Sequence, residues 1–126
     1  MLLVTILGRS NMETSILNTI KKQLGIEKEV THFDEELIVL INANLLSITQ
    51  LGIGPKNGFM ITGEGTSWEG LIDNRVDYEA VKTLLYMKVK LSFDPPSNSF
   101  LLESIQRMIE ELSWRILLQT NHVMEV

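Results

Sequence analysis

Cysteine is missing from this 126-residue chain. That excludes a disulfide framework and any zinc site built on thiolates, and is compatible with an intracellular or virion setting. Histidine is almost missing as well. His32 and His122 lie far apart, and with the scattered acids they make no spaced ligand motif. His32 follows a helix-cap position and reads as a surface residue. Basic residues are outnumbered 11 to 16, for a net charge of −5. That weighs against a protein that binds nucleic acid by neutralising phosphates. The acids are spread along the chain, with no block of like charge. No apolar run is long enough to cross a bilayer, so no membrane partner is expected. Met1 to Leu7 is apolar, but it is short and lacks a basic flank and a small-residue cleavage site, so it is not read as a signal peptide.

A catalytic constellation is also lacking. Gly52-x-Gly54-Pro55-x-x-Gly58 superficially resembles a phosphate-binding loop. It follows a helical pattern rather than a strand, and no Gly-Lys-Ser/Thr is present. Glu110 and Glu111 are adjacent on a helix, about 100° apart, and are not a paired acid and base. There is no nucleophile elbow and no defensible Ser/His/Asp order. The chain is therefore expected not to be an enzyme and to carry no cofactor or metal.

What remains is 44% hydrophobic and 21% charged, the balance of a globular protein. The length suits one domain with a modest core. Its apolar residues recur at helical spacing. A first helix is expected over Met12 to Leu24, with Met12, Ile16, Leu17, Ile20 and Leu24 on one face and Gly25 closing it. Lys21 and Lys22 in its last turn read as a solvated helix end. Thr31 followed by Asp34 reads as a variant capping box. The second helix then runs to about Leu51 with Leu37, Ile38, Ile41, Leu45, Ile48 and Leu51 inward. Asn42 and Asn44 are poor mid-helix residues whose commoner destination is solvent, the alternative being a bond to another helix or subunit.

The third helix, Asp77 to Phe93, is apolar on both sides. Tyr78, Val81, Leu85, Val89 and Phe93 share one face; Ala80, Leu84, Met87 and Leu91 line the other. That makes it the central helix. Lys82, Lys88 and Lys90 must leave by narrow strips with their stems over apolar neighbours. Pro95 and Pro96 then break the helix, and Ser97, Asn98 and Ser99 offer caps for the next. So short a break sets the two helices antiparallel. The fourth helix runs to Leu118. Leu101, Leu102, Ile105, Met108, Ile109, Leu112 and Ile116 form its apolar stripe, roughly 120° wide. Glu103, Arg107, Glu111 and Arg115 ladder along its flank. Trp114, Leu117 and Leu118 fall outside the stripe. Either they pack elsewhere in the same domain, or they dock on a neighbouring subunit or partner.

Between the second and third helices lies a long glycine-rich segment, Gly52 to Gly70. Phe59 to Thr62 is its only strand-like piece. Trp68 is expected to anchor the segment to the helices. A loop of this length usually serves an interaction. Phe59, Met60, Ile61 and Trp68 are the residues assigned to contacts with neighbouring subunits or with the next protein of the assembly. The expected architecture is mainly α: a small antiparallel bundle of four helices over 12–118, with a possible short β element in the loop. Residues 1–11 form an extension, which could be a strand, an arm on a neighbour or a leader that orders only on assembly. Residues 119–126 form a tail.

With the helices placed, several short motifs stand in a particular order. They are Phe33-Asp34; Ile41-Asn42; Gln50-Leu51-Gly52-Ile53-Gly54; Tyr78-Glu79-Ala80-Val81-Lys82; Tyr86-x-Lys88-Val89-Lys90-Leu91-x-Phe93-Asp94-Pro95-Pro96; and Ile109-Glu110-Glu111-Leu112-x-Trp114-Arg115. Together, over Met12 to Leu118, they resemble the head–tail connector (adaptor, head-completion) family of long-tailed bacteriophages. The Phe-Asp-Pro-Pro and Glu-Glu-Leu-x-Trp-Arg pieces are the most specific. The resemblance implies a structural virion protein of the neck, assembled in the bacterial host cytoplasm. It would form a ring of itself, twelve copies in such families, beneath the portal protein. The ring would extend the DNA channel and offer a surface to a neck or tail-completion protein, with genomic DNA passing through without sequence-specific contact. It also implies a C-terminal helical region that engages the portal. The alternative reading is a small DNA-packaging accessory, or a nucleic-acid-binding protein of the same helical class.

Overall fold

The computed structural model describes residues 13–72 and 76–124. The extension 1–11 and the last two residues of the tail lie outside the described residues, as does Met12, the expected start of the first helix. Four α-helices follow in order: α1 Ile16–Gln23, α2 Asp34–Thr49, α3 Tyr78–Phe93 and α4 Ser99–Met124, with a 3-10 turn at Trp68–Gly70. Among the described residues there is no strand, and one isolated bridge pairs Ser15 with Ser67. The fold is the expected helical bundle.

α1 begins later than its apolar period suggested. Ser15 accepts a bond from the Asn18 amide at 3.1 Å and caps the helix. It ends as foreseen: Gly25 takes φ 84°, while the Gly25 and Ile26 amides bond back to Lys22 and Lys21 carbonyls. That is the Schellman pattern, which needs a left-handed residue. The capping box before α2 does not form. Phe33 is the cap residue and no side chain caps the helix; the Asp34 amide bonds to the Thr31 carbonyl instead. Asp34 is engaged elsewhere. Its carboxylate lies 2.8 Å from the Lys21 ammonium, which is buried and also donates to the Lys28 carbonyl at 3.0 Å. Lys21 is thus no solvated helix end; only Lys22 is exposed.

α3 is the middle of the bundle, packed against both α2 and α4, and α1 packs on α2. Val81, Leu84, Leu85, Met87 and Val89 are buried on it. Its lysines follow the narrow strips: all three are half-buried, and the Lys82 ammonium lies 5.0 Å from the Tyr78 ring and 5.5 Å from the Trp68 ring. Neighbours run antiparallel. Phe33, just before α2, meets Phe93, the last residue of α3, edge to face at 5.5 Å. Glu79 and Thr83 early in α3 share a groove with Met108 and Arg115 further along α4. Of the three caps offered to α4, Asn98 serves, accepting from the Phe100 and Leu101 amides at 2.8 and 3.2 Å.

The long loop is core, not trim. Ile53, Ile61, Trp68, Leu71 and Ile72 are all buried. It is stitched down at two places. The Trp68 amide bonds to the Thr14 carbonyl and the Ile16 amide to the Thr66 carbonyl, while the indole donates to Thr19 Oγ1 at 3.0 Å. The second place is Asn42. Its carboxamide donates to the Ile61 carbonyl at 3.0 Å and accepts from the Ile61 amide at 2.7 Å. A side chain thus supplies the pair of bonds that a neighbouring strand would supply, and no strand forms at Phe59 to Thr62. Asn42 was expected at solvent; Asn44 instead bonds its own helix, at the Leu40 carbonyl.

Candidate assembly surface

α4 has 26 residues, yet among those whose side chains are described only Ile116 and Thr120 are buried. Leu102, Ile105, Ile109 and Leu112 are half-buried against α3 and its surroundings. Leu101 and Met108, placed in the core stripe by their spacing, are each 50% exposed. They stand at the stripe's edge, about 80–100° round the helix from Phe100, and α3 is too narrow to cover both them and the centre of the stripe. The helix also continues through 119–124, which had been assigned to a tail. There Thr120 packs onto the end of α2: a Cβ on Gly52 would come within 2.5 Å of the Thr120 methyl.

Three side chains had been singled out near the end of α4. Trp114 is 59% exposed and Leu118, one turn on, 48% exposed; Leu117 is half-buried. Phe100 is exposed too, and at 100° per residue it shares the azimuth of Leu118. Exposed apolar side chains therefore stand at the two ends of α4's outer face, Phe100 at its start and Trp114 with Leu118 near its end, with Arg107 and Glu111 between them. The charged residues pair along the helix, Glu111 with Arg115 at 3.0 Å and Glu103 with Arg107 at 3.7 Å, all on the surface. Such exposed pairs stabilise the helix by only about 0.3–0.5 kcal/mol each.

The four loop residues divide. Met60 is exposed and Phe59 half-buried, and both line a groove with Leu46 and Asn42 of α2. Ile61 and Trp68 are buried inside the chain, so as single-chain surface they offer a neighbour nothing; they anchor the loop instead. The apolar surface that spacing missed is on α2, where Val39 and Leu46 are exposed. The available signal was their separation of seven residues, which repeats one azimuth off the core face.

Chemically reactive arrangements are not what these surfaces present. Among the described residues no cluster of His, Asp and Glu could hold a metal ion. Nor is any helix there long and apolar enough to cross a membrane. Among the described residues one titrating group is displaced. Burial, with Glu79 and Glu69 adding, raises the Tyr78 phenol above its ordinary 10.0. Tyr78 lies under Lys82 at the start of α3, so this displacement belongs to packing. Compared with known proteins, residues 16–123 match the family described as phage connector protein. No curated relative and no solved structure matches the chain.

Proposed function

The chain belongs to the phage connector protein family, a structural family of the phage head–tail connection, and on that premise we propose that it forms a ring beneath the portal. The ring, of twelve copies by the proposed reading, extends the DNA channel and presents a docking surface to the next neck or tail-completion protein. The observation that carries this is the exposed apolar group of Trp114 and Leu118 on α4, which a lone copy leaves in water. Trp114, Leu117 and Leu118, near the C-terminal end of α4, are the portal-docking group. Met60 and Phe59 belong to the contact between neighbours. The net charge of −5 suits a conduit, because a repelling lumen does not hold the phosphates that pass it.

Trp114→Ala tests the reading. Its side chain touches little of its own domain, so the variant should keep its circular dichroism spectrum and melting temperature. Its binding to portal-bearing heads should weaken by about tenfold or more, the scale of an aromatic anchor. A variant that unfolds would show Trp114 to be core and remove the docking assignment. The unmodified protein should also show no salt-dependent binding to duplex DNA; such binding would favour a packaging accessory instead.

A further inference from the structure

Two apolar faces are left over, on elements that α3 holds apart. One is the outer face of α2. From Leu37 to Thr49 this helix carries no charged residue, although Val39, Ala43 and Leu46 are all exposed. A face that stays in water is ordinarily charged or polar. The other is the groove between α3 and α4. Ala80 and Thr83 line it on α3, Met108 and Leu112 on α4, with Glu79, Glu111 and Arg115 also at its edge. The two small α3 residues make it a depression, and Leu101 and Met108 remain half exposed along α4.

We propose that the α2 face of one copy seats in the α3/α4 groove of a second copy, head to tail. This rests on the connector reading above and names the contact between neighbours in the ring. The spacing fits. Val39 and Leu46 are seven residues apart, about 10.5 Å along the axis, and so are Leu101 and Met108. With α2 antiparallel to α4 and offset by half a heptad, Val39 enters the hole bounded by Ala80, Thr83, Met108 and Leu112. Leu46 then enters between Leu101 and Met108, as knobs enter holes. One charged contact is available in the same register. Glu35, one turn before Val39 and exposed, comes level with Arg115. Arg115 already holds Glu111 at 3.0 Å, and its five N–H donors can serve a second carboxylate. The first turn of α2 is wholly acidic, so it is this end that belongs at the guanidinium.

The two faces differ, so every pair keeps one of each unused. Association then continues until it closes on itself, whereas a symmetric pair would leave one face wet. Closure adds a contact that an open pair lacks, so free dimers should not accumulate beside closed rings.

The absence of cysteine makes a clean test. Val39→Cys with Met108→Cys in one full-length chain, oxidised under conditions of assembly, should give a ladder of covalent multimers on a denaturing gel. Mixing the two single variants should give dimers only, and each single variant alone should give none. Leu46→Cys with Leu101→Cys is the second pair; all four positions are exposed, and circular dichroism checks each fold. Leu46→Glu should lower ring yield about tenfold. Dimers from Val39→Cys alone would mean a symmetric contact and overturn the proposal. Rings seen by electron microscopy without a ladder from either pair would overturn it while leaving the connector reading intact. A chain that forms neither ring nor ladder, in solution or on portal-bearing heads, would sink both.

Discussion

Asn42 shows how much one side chain carries. Its carboxamide is matched to both backbone groups of Ile61, a residue 19 positions away whose own side chain is buried. Asn42→Ala should leave a donor and an acceptor without partners and cost about 2–4 kcal/mol, read as a lower urea midpoint. Asn42→Asp keeps the acceptor but turns the donor into a second acceptor facing the Ile61 carbonyl, so it should not restore stability. Neither this clamp nor the burial of Lys21 was legible in sequence. Periodicity reports which side of its own helix a residue occupies. It says nothing of a partner that arrives from another segment, and the partners here are Ile61 and Asp34. An asparagine in mid-helix and a lysine in a last turn both have ordinary solvated readings, and both are overridden by tertiary structure.

At the scale of elements the sequence was more readable. The two-sided apolar pattern of α3 identified the central helix, and the Pro95-Pro96 break identified the turn before α4. The faces of α1 and α2 followed from their spacing. What spacing could not supply was coverage. An apolar stripe is a demand for burial, and only the neighbour's width decides how much is met, as Leu101 and Met108 show. The loop was legible in part, through Trp68, but Ile53 and Ile61 also reach the core and a short β element does not form. One close approach between segments is Gly52, just after α2, against Thr120 of α4. Gly52 has φ 92°, and a Cβ there would overlap the Thr120 methyl at 2.5 Å. Gly52→Ala should therefore destabilise by about 1–3 kcal/mol, from backbone strain and overpacking together. Adding Thr120→Ser removes the methyl and should recover part of that loss. Thermal melts of the single and double variants would separate the steric share from the conformational one.

For the whole molecule, pH offers a test of packing around the bundle's central helix. The fold prefers the neutral form of Tyr78, since burial first and the two nearby carboxylates second raise its phenol above 10.0. The sign follows from linkage: the folded chain holds this proton more tightly than the unfolded chain. The associated stability is intact below pH 10 and is lost as pH rises through the raised value in the fold. Urea midpoints measured from about pH 9 upward should fall, and Tyr78→Phe should fall less over the same span. Parallel curves for the two proteins would show that lysine titration, not Tyr78, governs the alkaline limb.

Among its described side chains α4 is fully buried at Ile116 and Thr120 and half-buried at most along the rest of its inner face, and that has a dynamic consequence. Its amides do not share one opening energy. Those near Ile116 should exchange with deuterium only when the core itself opens, whereas those near 100–108 should exchange through far smaller excursions. A helix continuous in outline is thus divided in behaviour between a fixed root and a compliant shaft, and the shaft is the part able to conform to whatever surface it meets.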